Sequence, residues 1–474
     1  MIRKVLIANR GEIAVRIAHI LREMGISAIG VFTDPDREAL HRRSMDEAHR
    51  IESYLDAEEL VRVARESGAN AIHPGYGFLS ESTSLSSACE NAGITFIGPQ
   101  TETIRLMGDK LEARRLMQAA GVPVLPAWAS NPPESEYPVL VKAVGGGGGK
   151  GMRLVQNPSE LAEAMAAASR EAAKGFNDAR VFIEKYARNP RHVEFQVVGD
   201  SHGNVMHVFE RECSIQRRHQ KIIEETPSPA LTPELRATMG TMAVAAAKAV
   251  AYRGAGTVEF ILDADGRFYF LEMNTRLQVE HPVTEFTTGL DLVREQVRIA
   301  EGQPLSFRQA DLHQTGHSIE CRIYAEVPEE NFRPDTGTIE VFRPPTGPGI
   351  RLDSGVEEGS TVTIDYDPLM AKLIVWAPTR GAAIDRMKRS LRDFVLLGVR
   401  NNIEFLGRVV SSKDFASGNL DTHFLDRNSE LFRPPAGPLP IEAILAASLS
   451  ASPVTNGGSS SFSNVWTSGP WRNS

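Results

Sequence analysis

The chain has 474 residues, enough for two to four domain-sized units, and its 42% hydrophobic and 24% charged content is that of an ordinary globular protein. A net charge of -8 excludes a general nucleic-acid footprint, so any basic cluster has to be read as a local site. Three scattered cysteines (Cys89, Cys213 and Cys321) argue for a reducing, cytoplasmic compartment, and no apolar run is long enough to cross a bilayer.

In chain order, "KVLIA" predicts a short buried strand, and "EIAVRIAHILREMG" an amphipathic helix closed by Gly25. "SAIGVFT", "ANAIHPG" and "ITFIG" read as further strands, separated by the helices "DAEELVRVARESG" and "SLSSACENAG". Strands alternating with helices predict a parallel α/β sheet, ending near Gln100. Beyond it lie a helix from Lys110 to Ala120, the strand "VLVKAV", a glycine loop, the strand "MRLV", an alanine-rich helix and the strand "ARVFIEKYA". Together these suggest a compact α+β lid. "HVEFQVVGDSHGNVMHVFERE" reads as strand–turn–strand, "TPELRATMGTMAVAAAKAVAY" as a helix with a threonine cap, and "GTVEFILDADGRFYFLEM" as a hairpin. The last stretch, from about residue 448, is a serine- and glycine-rich tail.

The loop in "KAVGGGGGKGMRLV" is not a Walker A loop, since Val144 stands where its first glycine would be and Gly151 where its hydroxyl would be. Nor is it a Rossmann loop, because "MRLVQNP" alternates as a strand and stops at proline. A hairpin with a glycine tip remains, able to fold over a polyphosphate and to open again. Lys142, in the strand entering the tip, is then a phosphate partner.

In the later hairpin, a two-residue turn at Asp265-Gly266 would set Glu259 opposite Glu272. Directly opposed like charges destabilise a sheet, and a divalent cation resolves the conflict. Oxygen ligands suit Mg²⁺ or Mn²⁺. Further on, Glu272, Asn274, Arg276, Gln278 and Glu280 fall at every second position, so an extended strand would present all five on one face. A guanidinium there suits a small oxyanion, and Glu280 can take a proton. In the basic cluster "RECSIQRRHQK", His219 and Lys221 read as substrate or phosphate contacts, whereas spacing alone makes His192 a core histidine.

From about residue 1 to 447 the chain resembles the biotin carboxylases of the ATP-grasp superfamily. The likeness is carried by "IANRGEIAVRI", "HPGYGFLSE", "MGDK", "KAVGGGGGKGM", "EKYARNPRHVEFQV", "ERECSIQRRHQKIIEE", "EMNTRLQVEHPVTE" and "DYDPLMAKLIVW". It implies a mixed α/β and α+β fold. A Rossmann-like N-terminal domain spans 1–103, an ATP-grasp domain 104–330 with a mobile lid at about 114–187, and a mixed α+β C-terminal domain 331–447, with a flexible tail at 448–474. By position, Lys110 and Lys142 become ATP-phosphate ligands, and Gly145, Gly146, Gly147, Gly148, Gly149, Gly151 and Met152 the phosphate lid. Glu184, Lys185 and Ala187 match the adenine-contacting segment, although the family usually carries a bulkier apolar residue at Ala187; His192, Gln216 and His219 lie near the nucleotide. Glu259, Glu272 and Asn274 match the metal ligands. Lys221, Arg276, Gln278 and the backbone of Val279 match the bicarbonate pocket, Glu280 the general base, and Arg351 the cation beside biotin.

The implied reaction carboxylates carrier-bound biotin with ATP and bicarbonate through carboxyphosphate, with two divalent ions, as the first half-reaction of an acyl-CoA carboxylase. No biotinylation segment occurs in the chain. The resemblance therefore implies a separate biotin carboxyl carrier protein or domain, a carboxyltransferase subunit, and a homodimer or hetero-oligomer, with neither nucleic acid nor membrane as partner. Two other readings stay open: a different ATP-grasp ligase joining a carboxylate to an amine, and a catalytically silent nucleotide-binding scaffold.

Overall fold

The computed structural model describes residues 1–145, 152–176, 178–218 and 220–433. The expectations for Gly146 to Gly149, Gly151, His219 and the tail therefore fall outside the described residues, as does the end of the C-terminal domain from 434.

The N-terminal region forms the expected parallel sheet. Its five strands run in the order Glu47–Arg50, Ser27–Phe32, Lys4–Ile7, Ala71–His73 and Thr95–Phe96. The helices close as their sequences direct. Asp56 caps Ala57–Ser67 by accepting from the Glu59 amide at 2.9 Å, and Gly68 ends it at φ 73°. The strand Glu47–Arg50 was not expected, because it is a short charged edge strand with no buried residue to set a period of two. Among the described residues no helix is long and apolar enough to cross a membrane, and all three cysteines are free and buried.

A four-stranded sheet of Ala127–Trp128, Val181–Lys185, Val139–Ala143 and Arg153–Val155 has its own small core with the helix Leu161–Phe176. The strands flanking the glycine run pair antiparallel, with Val139 opposite Val155, as a hairpin requires.

The largest sheet positions the site. Its eight antiparallel strands run in the order Phe268–Asn274, Gly254–Leu262, Arg191–Gly199, Val205–Arg217, Gln220–Thr226, His317–Tyr324, Leu369–Ala377 and Ile350–Ser354. It runs without a break across residue 330. Val193, Phe195, Val258, Phe260 and Met273 pack in one core with Met239 and Ala243 of the helix Pro233–Ala249. Because side chains alternate along a strand, Glu194, Glu259 and Glu272 are left on the opposite face.

The hairpin reaches its expected pairing by another route. The two-residue turn does not form. The tip runs from Asp263 to Arg267, with the Asp263 carboxylate accepting from the amides of Asp265 and Arg267 at 2.9 Å each. That tip pairs Phe260 with Phe270. An extra residue, Leu271, then bulges the strand and brings Glu272 opposite Glu259.

Candidate active site

Three carboxylates stand in a row across three strands, Glu194 opposite Glu259 and Glu259 opposite Glu272, with Arg211 opposite Glu194 at one end. Such a row is stable only if its charge is met. Arg211, with no exposed surface, donates to Glu194 at 2.6 Å, Gln196 at 2.8 Å, and Thr257 and Thr284 at 3.0 Å each. Lys221 places its ammonium 2.5 Å from Glu194 and 2.8 Å from both Glu259 and Glu280. Glu272 accepts no hydrogen bond from any described side chain. Burial, and then the facing Glu259 charge, push its carboxyl up, while Lys110 opposes them. Burial works against Glu259 ionising too, but Lys221 and His192 outweigh it and hold this acid far below the usual range. An all-oxygen pair whose outer member lacks a donor fits a hard divalent cation.

The expected five-residue row is only half realised. The strand stops at Asn274, and Arg276 to Glu280 form a loop leading to the helix His281–Thr288. Even so, Asn274 and Gln278 donate to Glu259 Oε1 at 2.9 and 3.2 Å, and Arg276 bridges their amide oxygens at 3.0 and 2.9 Å. Arg276 also donates to Glu81 at 2.8 Å, a residue to which the sequence assigned no role. Glu280 instead sits at the helix N-cap, fully buried, between Lys221 and Arg322, the latter 3.0 Å from its Oε2. Burial opposes its ionisation, yet Lys221, Arg322 and Arg211 hold it well below the ordinary carboxylate range. A buried carboxylate kept ionised and paired only with cations can accept a proton.

Several residues expected near a nucleotide are paired with carboxylates. Lys142 donates to Glu184 at 2.5 Å, and Arg114 meets the other Glu184 oxygen at 3.2 Å, so Glu184 is held between two cations. Lys185 is exposed and bound to Glu136 at 2.7 Å, while Ala187 lies just past that strand. Burial lowers the Lys110 pKa. Gly145 and Met152 are the described ends of the glycine run. His192 is buried with its Nε2 2.8 Å from Glu259, and Gln216 donates to its Nδ1 at 2.7 Å, which ties both to the carboxylate row.

Arg351 is gripped by Asp353 through two 2.7 Å hydrogen bonds and by Glu285 through one of 2.7 Å. It keeps about a fifth of its side chain exposed (21%) and lines a cavity of about 480 Å³ with Glu12, Arg16, Glu285 and Asp353. Sequence reasoning missed Glu194, Arg211 and Arg322. Glu194 alternates with apolar neighbours in "HVEFQV" while Arg211 is flanked by Glu210 and Glu212 in "FERECSI", and their meeting depends on a strand pairing that no local pattern gives.

Comparison with known proteins agrees with this geometry. Residues 1–104 match the biotin carboxylase N-terminal domain, 109–308 the carbamoyl-phosphate synthase L chain ATP-binding domain, and 320–427 the biotin carboxylase C-terminal domain. The biotin carboxylase of Nostoc is 50% identical over 439 residues, covering 89% of this chain and 98% of its own. The Arabidopsis thaliana methylcrotonoyl-CoA carboxylase alpha subunit is 47% identical over 465 residues, 94% of this chain. This chain spans only 63% of that subunit's length. The biotin carboxylase domain of Hydrogenobacter thermophilus 2-oxoglutarate carboxylase, solved as a dimer with MgADP, ADP and bicarbonate, superposes with a TM-score of 0.89 at 46% identity, covering 92% of this chain and all of that one. The fold and the matching family models define a protein of the ATP-grasp class. The chain belongs to the biotin carboxylase family.

Proposed function

We propose that this chain uses ATP and bicarbonate to carboxylate biotin on a carrier protein or domain, supplying carboxybiotin to a carboxyltransferase subunit. The observation that carries the reading is Glu280, fully buried with Lys221 at 2.8 Å and Arg322 at 3.0 Å from its carboxylate, one lysine away from the carboxylate row.

Glu259 and Glu272, helped by Asn274, are the residues to hold the divalent cations, Mg²⁺ or Mn²⁺ and two in number. Those ions would supply positive charge against the transferring phosphoryl group. Lys110 and Lys142 bind the ATP phosphates, Lys142 exchanging Glu184 for phosphate, beneath the lid built on Gly145 to Met152. Glu184, Lys185 and Ala187 line the adenine side, with His192, Gln216 and His219 nearby. Arg276 and Gln278, with the Val279 backbone and Lys221, orient bicarbonate. Glu280 takes its proton, the carbonate oxygen attacks the γ-phosphorus as the bond to the β,γ-bridging oxygen breaks and ADP leaves, and carboxyphosphate forms. Carboxyphosphate then splits into CO₂ and phosphate, the phosphate takes the ureido N–H proton, and Arg351 steadies the biotin ureido oxygen as the nitrogen attacks CO₂.

In this reading the domain limits are 1–103, 104–330 and 331–447, with a tail at 448–474, and the enzyme is cytoplasmic and dimeric or part of a hetero-oligomer. The lengths of the methylcrotonoyl-CoA carboxylase relatives support a place in a larger acyl-CoA carboxylase. ATP cleavage that depends on bicarbonate and is stimulated by free biotin tests the reading. Stimulation by an amine substrate instead would favour another ATP-grasp ligase, and no cleavage at all would favour a silent scaffold.

A further inference from the structure

Lys372 is a charge in the middle of the apolar strand "LMAKLIVWA", with no exposed surface. A buried lysine is expensive, and a methionine of similar length would fill the same space, so packing does not explain it. Its surroundings do. The ammonium donates to the Val279 carbonyl at 2.8 Å, immediately before Glu280. It lies 3.1 Å from Glu12 Oε1, which also accepts from the Tyr76 hydroxyl, and 3.7 Å from Asp353 Oδ2. Asp353 is its register partner on one side and grips Arg351. Arg322 is its register partner on the other side and holds Glu280. Burial works against the charge, but Glu12, Glu320 and Asp353 outweigh it and keep the lysine protonated.

We propose that Lys372 is a positioning residue that locks the Val279–Glu280 peptide to the Asp353–Arg351 clamp, so that the base for bicarbonate and the cation for biotin sit on one rigid frame. The inference rests on the biotin carboxylase reading above. Lys372 touches no substrate and acts through the two groups it joins.

The test is steady-state kinetics of the chain with free biotin, alongside calorimetric titration with MgATP. In Lys372→Met, the carbonyl of Val279 is released: the KM for bicarbonate should rise about tenfold or more, while the KM for ATP stays within about twofold and nucleotide still binds one per folded chain. Asp353→Asn loosens only the Arg351 side, so the KM for biotin should rise about tenfold and that for bicarbonate stay within about twofold. A merely structural lysine would instead lower kcat in step with the nucleotide-binding fraction and leave both KM values alone, which overturns the proposal. If Lys372→Met does not fold, Asp353→Asn decides, and an unchanged biotin KM overturns it. A wild-type chain without bicarbonate-dependent ATP cleavage would overturn the functional reading and this inference together, whereas an active wild type with indifferent variants overturns the inference alone.

Discussion

Lys221 holds Glu280 at 2.8 Å while spending its remaining donors on Glu194 and Glu259. One ammonium thus meets the charge of the middle of the carboxylate row and favours the ionised form of Glu280. In Lys221→Met the lost cation raises the Glu280 pKa. The acid limb of the bicarbonate-dependent rate should therefore move up by about 1–3 pH units, which a pH–rate profile reads directly.

Opposed Glu259 and Glu272 predict effects of opposite sign on stability and on metal response. Glu272→Gln removes one of two facing charges, so without metal the variant should be more stable than wild type by up to about 1 kcal/mol. The further stabilisation that MgATP gives the wild type should shrink by at least about half. Thermal melts with and without MgATP check both directions.

Arg211 and Glu194 form an ion pair with neither side chain exposed. Truncation as Arg211→Met leaves a buried carboxylate with Lys221 as the one cation hydrogen-bonded to it among the described residues. The expected loss is about 3–5 kcal/mol, measured by urea unfolding, and a loss under about 1 kcal/mol would contradict it.

Glu326 offers a pH test away from the chemistry. Burial pushes its carboxyl up to about 7 despite Arg217 at 3.1 Å. Between the ordinary carboxyl value and about 7 the unfolded chain has released this proton and the folded chain still holds it. Stability therefore falls as pH rises through that window and stays lower above it. Glu326→Gln should match wild type at about pH 5 and exceed it by about 1–3 kcal/mol at about pH 8.

Much of the site was legible because it follows local alternation. The strand "TVEFI" and the hairpin after it placed Glu259 and Glu272 on one face, and Lys142 stood in the strand entering the glycine run, whereas Lys221 was read only as part of a basic cluster and proves to lie in the strand Gln220–Thr226. The pairing itself was reached from a two-residue turn that does not form, and the bulge at Leu271 cancelled that error. Extending the alternation to Glu280 failed because the strand ends at Asn274, where Arg276 turns back to bind Glu81, a contact 195 residues distant. Glu194, Arg211, Arg322 and Lys372 act through partners set by sheet order, which no local period encodes. Lys372 did leave one sign, a single lysine inside an apolar run.

The most direct test of the account is ATP cleavage by wild type and Glu280→Gln, with and without bicarbonate, each alongside a calorimetric MgATP titration. The wild type should cleave ATP in a bicarbonate-dependent manner, and the variant should bind MgATP with unchanged affinity yet lose that dependent rate by about 100-fold or more. A Glu280→Gln chain that retains the wild-type bicarbonate-dependent rate would contradict the role given to this carboxylate, and with it the site as built here.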